Sequence, residues 1–243
     1  MTPPTALQLF EALDATWPAA RVIDAGPWRL REGQGGGQRV SSTTRTRSCT
    51  ESDLETAIAG MQAIDQLPLF MIRADDADLD ALLERQGYAV SDPTAIYYVS
   101  AADIARDYPR TTSIPAWPPL AIQREIWAEG GVGNARLAIM ERVAAPKTSL
   151  LIRIEDTPAA TVFLAGNGPI TMLHALDVQS ANRRRSVGEV ALRSAAKWAL
   201  DHGCHWLALA VTKANDAANA LYQKLGMTLA TTYHYRTAPI GGL

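Results

Sequence analysis

Three consecutive arginines at the start of a predicted helix indicate a binding site for phosphate. They open the segment Arg183-Arg184-Arg185-Ser186-Val187-Gly188, which lies between a predicted strand at 170–178 and an amphipathic helical pattern. The first backbone N–H groups of a helix have no partner within it, and the helix dipole adds positive potential there. Arginine adds charge-assisted, often bidentate bonds to phosphate oxygens. The alternatives are a solvated basic face or a nucleic-acid patch, and the position between strand and helix favours the phosphate site.

The second half of the chain supplies the elements that would position this turn. Apolar and β-branched runs predict strands at 150–154, 160–164, 170–178, 206–211 and 231–237. Apolar residues at helical spacing predict helices at 122–128, 135–144, 187–202 and 216–225. The glycines at 130–133 are expected to break a helix rather than to hold a nucleotide.

The first half shows a similar alternation of predicted elements. Helices are expected at 7–13, from Ser52 along an apolar stripe to Leu67, and at 76–86; strands are expected at 21–24, 28–31, 39–44, 69–72 and 95–99. The glycine cluster 33–37 favours a hairpin turn over a phosphate loop. Prolines at high density exclude a continuous helix or a central strand at 108–120. We therefore predict an N-terminal domain at 1–108, a linker at 109–119 and a second domain at 120–243.

The two halves contain segments that resemble each other. The segment Ala81–Tyr88 and the segment Ala220–Met227 each follow an apolar strand, end in a glycine and precede another strand. A duplicated half-fold explains this match, and chance similarity of two amphipathic helices is the alternative. If the duplication is real, the first copy lacks the chemistry, because Leu83 stands where Tyr222 stands and no arginine turn precedes its helix.

Composition excludes several classes of protein. The 243 residues are 47% hydrophobic and 20% charged with a formal net charge of −2, which is ordinary for a soluble globular protein. No apolar run reaches the roughly 20 residues that a membrane helix needs, and no export signal is indicated. Cys49 and Cys204 follow no ligand spacing and are expected to be reduced thiols.

The arginine turn and the segment after it resemble the acetyl-CoA-binding core of the GNAT superfamily of N-acetyltransferases. The family's turn, Arg/Gln-x-x-Gly-x-Gly/Ala, corresponds here to residues 183–188. Its later motif, Asn-x-x-Ala-x-x-Leu-Tyr followed by Gly-Phe, is matched by Asn215, Ala218, Leu221, Tyr222, Gly226 and Met227. The resemblance covers residues 120–237. It implies an α+β (α/β three-layer) fold with a mixed central sheet and helices on both faces, in two tandem GNAT-like domains of which the first is degenerate.

The resemblance also implies where acetyl-CoA would bind as acyl donor, without a metal. The strand ending at Leu176, Asp177 and Val178 would separate from the strand at 209–211, and its free backbone groups would bind the pantetheine arm and the acetyl carbonyl. Asn215 would hydrogen-bond near the pantetheine, and Tyr222 would lie beside the sulfur, unless it is simply a core aromatic. The pyrophosphate would lie on the backbone of Arg183, Arg184, Arg185, Ser186, Val187 and Gly188.

Two positions depart from the family pattern. Ser186 replaces a glycine, which adds a Cβ where the backbone nears the phosphates. Met172 stands where some members place a glutamate base, and a thioether cannot take a proton. His174 lies two residues further on the same strand face and is the substitute base, with a structural histidine as the alternative. Asp177 is expected to face the other way.

These features predict an acetyl-CoA-dependent N-acetyltransferase that acetylates a primary amine of a small molecule or peptide by direct attack. Tyr222 and His174 are the expected catalytic residues. The alternative is a non-catalytic acyl-CoA-binding sensor or regulatory module. The negative net charge and the lack of an aromatic platform disfavour a nucleic-acid-binding protein. We expect a cytoplasmic monomer or homodimer with an amine substrate and with no nucleic-acid or membrane partner.

Overall fold

A computed structural model describes residues 2–239 of the chain. The helices are α1 (Ala6–Thr16), α2 (Gln38–Ser41), α3 (Glu51–Gln62), α4 (Ala77–Arg85), α5 (Ala101–Ile104), α6 (Ala121–Glu129), α7 (Asn134–Arg142), α8 (Val187–Asp201) and α9 (Asp216–Lys224). The strands are β1 (Arg21–Ala25), β2 (Trp28–Glu32), β3 (Thr44–Arg45), β4 (Leu69–Arg73), β5 (Ala89–Ser100), β6 (Ser113–Ala116), β7 (Lys147–Ile154), β8 (Thr157–Asn167), β9 (Ile170–Val178), β10 (Trp206–Thr212) and β11 (Thr228–Thr237). Across these described residues, no helix is long and apolar enough to cross a membrane.

The chain divides into a large unit and a small unit, and each unit draws on separate stretches of sequence. The described residues of the large unit are 2–18, 96–211 and 215–230, and those of the small unit are 19–95, 212–214 and 231–239. The expected linker at 109–119 lies inside the large unit, which also contains α1. The domain limits 1–108 and 120–243 therefore remain a prediction about folding domains and do not describe these units.

The large unit is built on a mixed sheet. Its strand order is β6-β7-β8-β9-β10, followed by the part of β5 that belongs to this unit. β6 to β9 pair antiparallel, whereas β9 and β10 pair parallel. Helix α8 connects the two parallel strands and packs across β7, β8 and β9, while α1 and α6 cover the other face of β8 and β9. This arrangement places the ends of β9, β10 and α8 beside one another.

The proline-rich segment forms the edge of this sheet. Strand β6 pairs antiparallel with β7, with Pro115 opposite Leu150. Proline has no backbone N–H to donate, so it is tolerated in an edge strand and excluded from a central one. The prediction that no central strand forms at 108–120 is therefore confirmed. The segment is nevertheless part of the sheet and is not a linker.

The small unit combines a three-stranded sheet with a helix–strand–helix segment. β1, β2 and β3 form an antiparallel sheet, and β4 pairs antiparallel with the part of β11 in this unit. The predicted strand at 39–44 is wrong over its first half: one turn of helix, α2, occupies residues 39–41 and buries Val40 completely, and only Thr44 belongs to a strand, β3. The helical stripe predicted to reach Leu67 is also too long, because α3 ends at Gln62 and Leu67 is 69% exposed.

The two similar helices found in the sequence end in the same geometry. Gly87 after α4 and Gly226 after α9 both have left-handed backbone, with φ of 80° and 73°. After each glycine, the next backbone N–H donates back to the helix over 3.0 Å, from Tyr88 to Leu83 and from Met227 to Tyr222. The strand pairing is also similar. Thr43, before α3, makes a parallel bridge to β4, and β9, before α8, pairs parallel with β10. Matched element order, pairing sense and helix ends support a duplicated half-fold.

Candidate active site

The parallel strands β9 and β10 stop pairing before either strand ends. Their last paired residues are Leu173 and Leu209, yet β9 continues to Val178 and β10 to Thr212. Backbone N–H and C=O groups must find partners when they leave water. The gap between 174–178 and 210–211 therefore offers backbone groups to an extended, amide-containing ligand. The separation of these strands, expected from the family resemblance, is present.

A β-bulge in β9 lies at the start of this gap. Phe163 of β8 pairs with His174, and Thr161 pairs with Asp177, so β9 has one residue more than β8 over this stretch. Within the bulge Ala175 has φ +48°, a left-handed conformation that is uncommon outside glycine. The extra residue reverses the alternation of side chains. Asp177 therefore shares a sheet face with His174, and the expectation that it faces the other way is wrong.

The bulge is held in place by a tryptophan of helix α6. The indole Nε1–H of Trp127 donates to the carbonyl of Ala175 over 2.7 Å. Trp127 is fully buried, so this bond satisfies a carbonyl that the bulge removes from the sheet ladder. The contact was not predictable from spacing, because its two residues are 48 positions apart.

His174 lies beneath the N-terminal helix. Its ring is 4% exposed and stacks on Trp17 with ring centroids 4.9 Å apart. The hydroxyl of Thr16 donates to the carbonyl of Ala12, and Thr16 Oγ1 lies 2.8 Å from His174 Nε2. Because the hydroxyl proton is already used, we assign the proton of this second bond to Nε2. The structure thus gives His174 a packing partner and a hydrogen-bond partner that the sequence did not reveal.

Asp177 projects toward the end of helix α6. A Cβ added to Gly130 would lie 1.2 Å from Oδ2 of Asp177, so only glycine leaves room for this carboxylate. Burial raises the pKa of Asp177, Arg183 works in the opposite direction, and Glu129 adds to the increase. A half-buried carboxylate therefore lies on the α6 face of the bulge, beside the unpaired segment of β9.

The arginine turn has a backbone conformation that suits an anion. After a short 3₁₀ turn at Ser180–Asn182, Arg184 and Ser186 both have positive φ, of 62° and 60°. Successive turn residues of this kind direct neighbouring N–H groups into one concavity. No side chain of the described residues caps α8 at Ser186, so the first N–H groups of that helix remain available. This geometry is compatible with a pyrophosphate, and pyrophosphate binding at 183–188 stays a prediction.

The arginine side chains are exposed and only lightly tethered. Arg183 Nε donates to the carbonyl of Val178 over 3.3 Å, and Arg185 donates to Asn182 over 3.2 Å. Arg185 also lies 3.2 Å from the exposed carboxylate of Glu155. Ion pairs at such exposed positions are weak, so these guanidinium groups can turn toward a phosphate at little cost.

Gly188 has a structural role beyond the one expected. The sequence interpretation gave it close approach to the phosphates, but a Cβ there would lie 2.9 Å from Cδ2 of Leu221. Gly188 therefore allows α9 to pack closely against the first turn of α8. Nearby, Glu189 accepts from both Arg193 and Lys224 over 3.0 Å, which ties the two helices together.

Asn215 is the residue that precedes α9, and Tyr222 lies in the last turn of this helix. Asn215 caps the helix, since its side-chain oxygen accepts from the backbone of Ala218 over 3.1 Å. Tyr222 is 6% exposed and its ring lies 5.9 Å from that of Tyr97. Burial raises the pKa of Tyr222 to about 12. The phenol is therefore fully protonated near neutral pH and can act as a donor.

The corresponding helix of the small unit offers no such site. Helix α3 begins with a capping box in which Thr50 and Asp53 bond each other, the backbone of Thr50 donating to the Asp53 carboxylate over 2.7 Å. Glu51 and Asp53 place acidic side chains in the first turn. The Asp53 carboxylate thus already occupies the start of α3, and the acidic side chains of this turn repel anions. At the position of Tyr222, the small unit has the buried Leu83.

Comparison with known proteins agrees with this geometry. The chain is similar over its full length to a GCN5-related N-acetyltransferase from Kribbella flavida, with 19% identity, 98% of that chain covered and a TM-score of 0.76. It is similar to a tandem GNAT protein from the clavulanic acid biosynthesis pathway, with 14% identity, coverage of 100% of this chain and 90% of that one, and a TM-score of 0.63. A functionally unknown conserved protein from Staphylococcus epidermidis is similar at 10% identity, with 94% and 97% coverage and a TM-score of 0.68.

Sequence comparison identifies the family. No curated protein sequence matches the chain. The acetyltransferase (GNAT) family, however, matches residues 103–227, just over half of the 243 residues. The match includes the bulged strand, the arginine turn and the helix that carries Tyr222. The chain belongs to the GNAT acetyltransferase family.

Proposed function

We propose that this protein is an acetyl-CoA-dependent N-acetyltransferase that acetylates a primary amine of a small molecule or peptide by direct attack. Membership of the family supports acyl-CoA-dependent acetyl transfer in general. The observation that carries the proposal is the unpaired end of β9, which lies directly before an arginine turn and an uncapped helix. An extended thioester with a pyrophosphate needs these features in this order.

The pyrophosphate, the pantetheine arm and the acetyl group of acetyl-CoA each have a candidate partner in the large unit. The pyrophosphate would be bound by the turn 183–188 and the first N–H groups of α8. The pantetheine amides and the acetyl carbonyl would pair with the backbone of Leu176, Asp177 and Val178. Asn215 would support the pantetheine through its remaining polar atoms, because its Oδ1 already caps α9.

Tyr222 would stabilise the leaving thiolate as a hydrogen-bond donor. The amine nitrogen forms a bond to the acetyl carbon, and the carbon–sulfur bond breaks to release a thiolate. An ordinary thiol has a pKa of about 8.5. Full proton transfer from a phenol of pKa about 12 would therefore cost about 5 kcal/mol, at about 1.36 kcal/mol per unit. Donation of a hydrogen bond without full transfer is the favoured role.

The amine must lose a proton before it attacks. An alkyl amine has a pKa near 10.4, so only about one molecule in a thousand is neutral near pH 7.4. This unfavourable equilibrium costs about 4 kcal/mol, and a base offsets part of it. His174 is the base that the sequence predicts, and its assignment as such remains a prediction.

A non-catalytic acyl-CoA sensor is the second candidate function. It is favoured by Met172, which is completely buried at the position where some family members have a glutamate base. The two functions differ in one observable. A sensor binds acetyl-CoA without releasing CoA, whatever amine is supplied.

The test begins with binding and proceeds to turnover. Acetyl-CoA at 100 times its Kd should stabilise the protein by about 2.7 kcal/mol, measured as a shift in thermal unfolding. CoA release is then followed by thiol detection with alkyl amines, amino acids and lysine peptides. An unchanged melting temperature would contradict both functions, whereas binding with no CoA release from any amine would favour the sensor.

Replacing Tyr222 by phenylalanine tests its role. Loss of a hydrogen bond to a charged group costs roughly 1.5–3 kcal/mol, so we expect kcat to fall roughly 10- to 100-fold with little change in acetyl-CoA binding. Tyr97→Phe is the matched control, because it removes a phenol from the ring that Tyr222 contacts. Equal kcat values for Tyr222→Phe and the wild type would remove Tyr222 from the mechanism.

A further inference from the structure

We propose that Asp177 is the general base of this enzyme and that its carboxylate receives the acceptor as an alkylammonium ion. The inference rests on the proposed acetyltransferase function and deepens it, because it assigns both the proton acceptor and the charge of the acceptor. It is carried by the position of this one side chain relative to the bulge, helix α6 and the unpaired end of β9.

The bulge determines where the carboxylate points. Without it, Asp177 would lie on the opposite face from His174, three residues earlier. The pairs Phe163–His174 and Thr161–Asp177 show that one residue of β9 is left over between them, which returns Asp177 to the α6 face. Asp177 is also the middle residue of the segment 176–178, whose backbone would hold the thioester. Its side chain therefore starts next to the reacting carbonyl.

Two features of helix α6 position the bulge and leave room for the carboxylate. The bond from Trp127 to Ala175 attaches the bulge to α6 over 2.7 Å. At the end of the same helix, Gly130 leaves room for Oδ2 of Asp177, where any Cβ would lie 1.2 Å away. Gly130 has φ −81°, an ordinary value for any residue. Glycine is therefore needed here because it leaves room for the carboxylate, and not because of its backbone conformation.

The charges around Asp177 favour a cation. Asp177 faces the C-terminal end of α6, where the helix dipole is negative, and Glu129 adds a second carboxylate from the same helix. Arg183, from the turn after β9, is the positive group that acts on Asp177. Burial and Glu129 raise the pKa of Asp177, which brings it closer to the pKa of an amine. An incoming ammonium ion would offset the unfavourable negative potential at this end of the helix.

The surroundings of His174 are less suited to proton transfer. Its Nε2 is bonded to Thr16, and its ring is stacked on Trp17 at 4% exposure. Asp177 is half-buried and lies on the bulge itself. We therefore assign His174 to the packing of α1 on the sheet and Asp177 to the chemistry.

The proposed step balances in atoms and charge. Asp177 carboxylate takes one proton from the alkylammonium ion and becomes a neutral acid, which leaves a neutral amine. The amine nitrogen then bonds to the acetyl carbon as the carbon–sulfur bond breaks, and the thiolate accepts the hydrogen bond of Tyr222. The amide product loses its second proton to solvent, and Asp177 returns its proton to solvent before the next turnover.

Substitution of the carboxylate is the first experiment. With the alkyl amine that the wild type acetylates best, Asp177→Asn should lower kcat/KM by 10²- to 10⁴-fold near pH 7 and leave the acetyl-CoA melting shift intact. The neutral fraction of the amine rises tenfold per pH unit below its pKa. The deficit of Asp177→Asn should therefore narrow as the pH rises toward 10, and Asp177→Glu should recover part of the rate. A structural role for Asp177 would not produce this pH-dependent recovery.

Displacement of the carboxylate without changing it is the second experiment. Gly130→Ala should push Asp177 away from its place and lower kcat/KM at least tenfold. Gly133→Ala is the matched control: Gly133 lies in the same loop, has φ −87°, and has no heavy atom within 4 Å of an added Cβ among the described residues. Gly133→Ala should keep the wild-type rate within about threefold.

A measurement without turnover completes the test. In protein labelled with carboxyl-¹³C aspartate, the resonance lost in Asp177→Asn should titrate above the usual aspartate range, and n-butylammonium should lower its midpoint. Active wild type with an equally active Asp177→Asn variant, or a resonance insensitive to n-butylammonium, would overturn the inference alone. A wild type that binds acetyl-CoA but acetylates no amine would overturn the proposed function together with it.

Discussion

At the scale of single residues, the site depends on backbone conformations that its side chains do not prefer. Ser186 has φ +60° and ψ 14° at the position where the family pattern has glycine. A left-handed conformation costs a residue with a Cβ roughly 1–2 kcal/mol. Ala175 and Arg184 carry similar strain, with φ of 48° and 62°. All three positions adjoin the proposed acetyl-CoA site, where strained backbone is commonly found.

Ser186 gives a prediction about stability. Ser186→Gly removes the steric penalty of the Cβ in the folded state, but it also gives the unfolded chain more conformational freedom. The free energy of unfolding should therefore rise by up to about 1 kcal/mol. Ser186→Val should lower it by about 1–2 kcal/mol, because a β-branched residue fits this region poorly. Urea unfolding of the ligand-free protein measures both values.

Ser180 provides the control for this prediction. It lies in the preceding 3₁₀ turn, where negative φ is the rule. Ser180→Gly should therefore lower the free energy of unfolding by roughly 0.5–1 kcal/mol. If glycine had the same effect at both positions, the strain assigned to Ser186 would be absent.

At the scale of elements, charged side chains connect helix α4 to strand β11 in the small unit. Asp80 on α4 accepts from Arg236 over 2.6 Å and lies 2.9 Å from Nε2 of His234, both on β11. Arg236 also donates to the carbonyl of Tyr88 and is only 5% exposed. Burial by itself would raise the pKa of Asp80, but the bonds from Arg236 and His234 outweigh it and lower the pKa.

The lowered pKa predicts how stability depends on pH. A carboxylate whose pKa is depressed by folding stabilises the native state above its unfolded pKa, about 3.9. That contribution is lost as the pH falls through the lower folded value. Asp80→Asn should therefore lower the free energy of unfolding by about 2 kcal/mol near pH 7. This loss is smaller than the loss from breaking a fully buried ion pair, because Asp80 is partly exposed. The difference from the wild type should shrink below pH 4.

Chemical denaturation between pH 2 and pH 7 measures this dependence. Asp24→Asn is the control, since Asp24 forms an exposed pair with Arg29 at 3.0 Å, and should change stability by less than about 0.5 kcal/mol. A cost for Asp80→Asn that stays constant down to pH 2 would contradict the electrostatic explanation.

At the scale of the whole molecule, only one of the two similar halves carries the features that we propose to bind acetyl-CoA. Both halves have the same order of elements and matching helix ends, but only α8 follows an arginine turn and lacks a side-chain cap. Helix α3 has a capping box and two acidic residues in its first turn. We therefore predict that one chain binds one acetyl-CoA molecule. Isothermal titration calorimetry should give a stoichiometry near one, and a value near two would show that the small unit retains a site.

An arginine variant identifies which half binds. Replacing Arg183, Arg184 and Arg185 together by alanine should weaken acetyl-CoA binding at least tenfold, because charge-assisted bonds to phosphate are lost. Arg45→Ala in the small unit is the control. It removes the ion pair between Arg45 and Asp76, and it should leave acetyl-CoA binding unchanged at a temperature where the variant is folded.

Much of this arrangement could be predicted from sequence because local patterns encode it. The arginine turn, the helix at 216–225 and the strand at 170–178 follow from residue spacing, whereas the roles of Asn215 and Tyr222 come from the family resemblance. The bulge at Ala175 could not be predicted, since it depends on a tryptophan 48 residues away and gives no break in the apolar pattern. For this reason, the sequence placed Asp177 on the wrong face and left its side chain out of the chemistry. The short helix at Gln38–Ser41 was missed because one turn of helix has no detectable period.

The position of α1 affects how the chain can fold during synthesis. This helix is made before the sheet that covers it, because Thr16 bonds His174, which lies 158 residues later. Contacts that distant close slowly, and the large unit cannot bury the ring of His174 until most of the chain has left the ribosome. Until then α1 must wait with Leu9, Phe10 and Leu13 uncovered, which are all buried in the finished protein. The apolar face of α1 therefore stays uncovered while the 158 residues up to His174 are made, and exposed apolar surface of this kind favours aggregation.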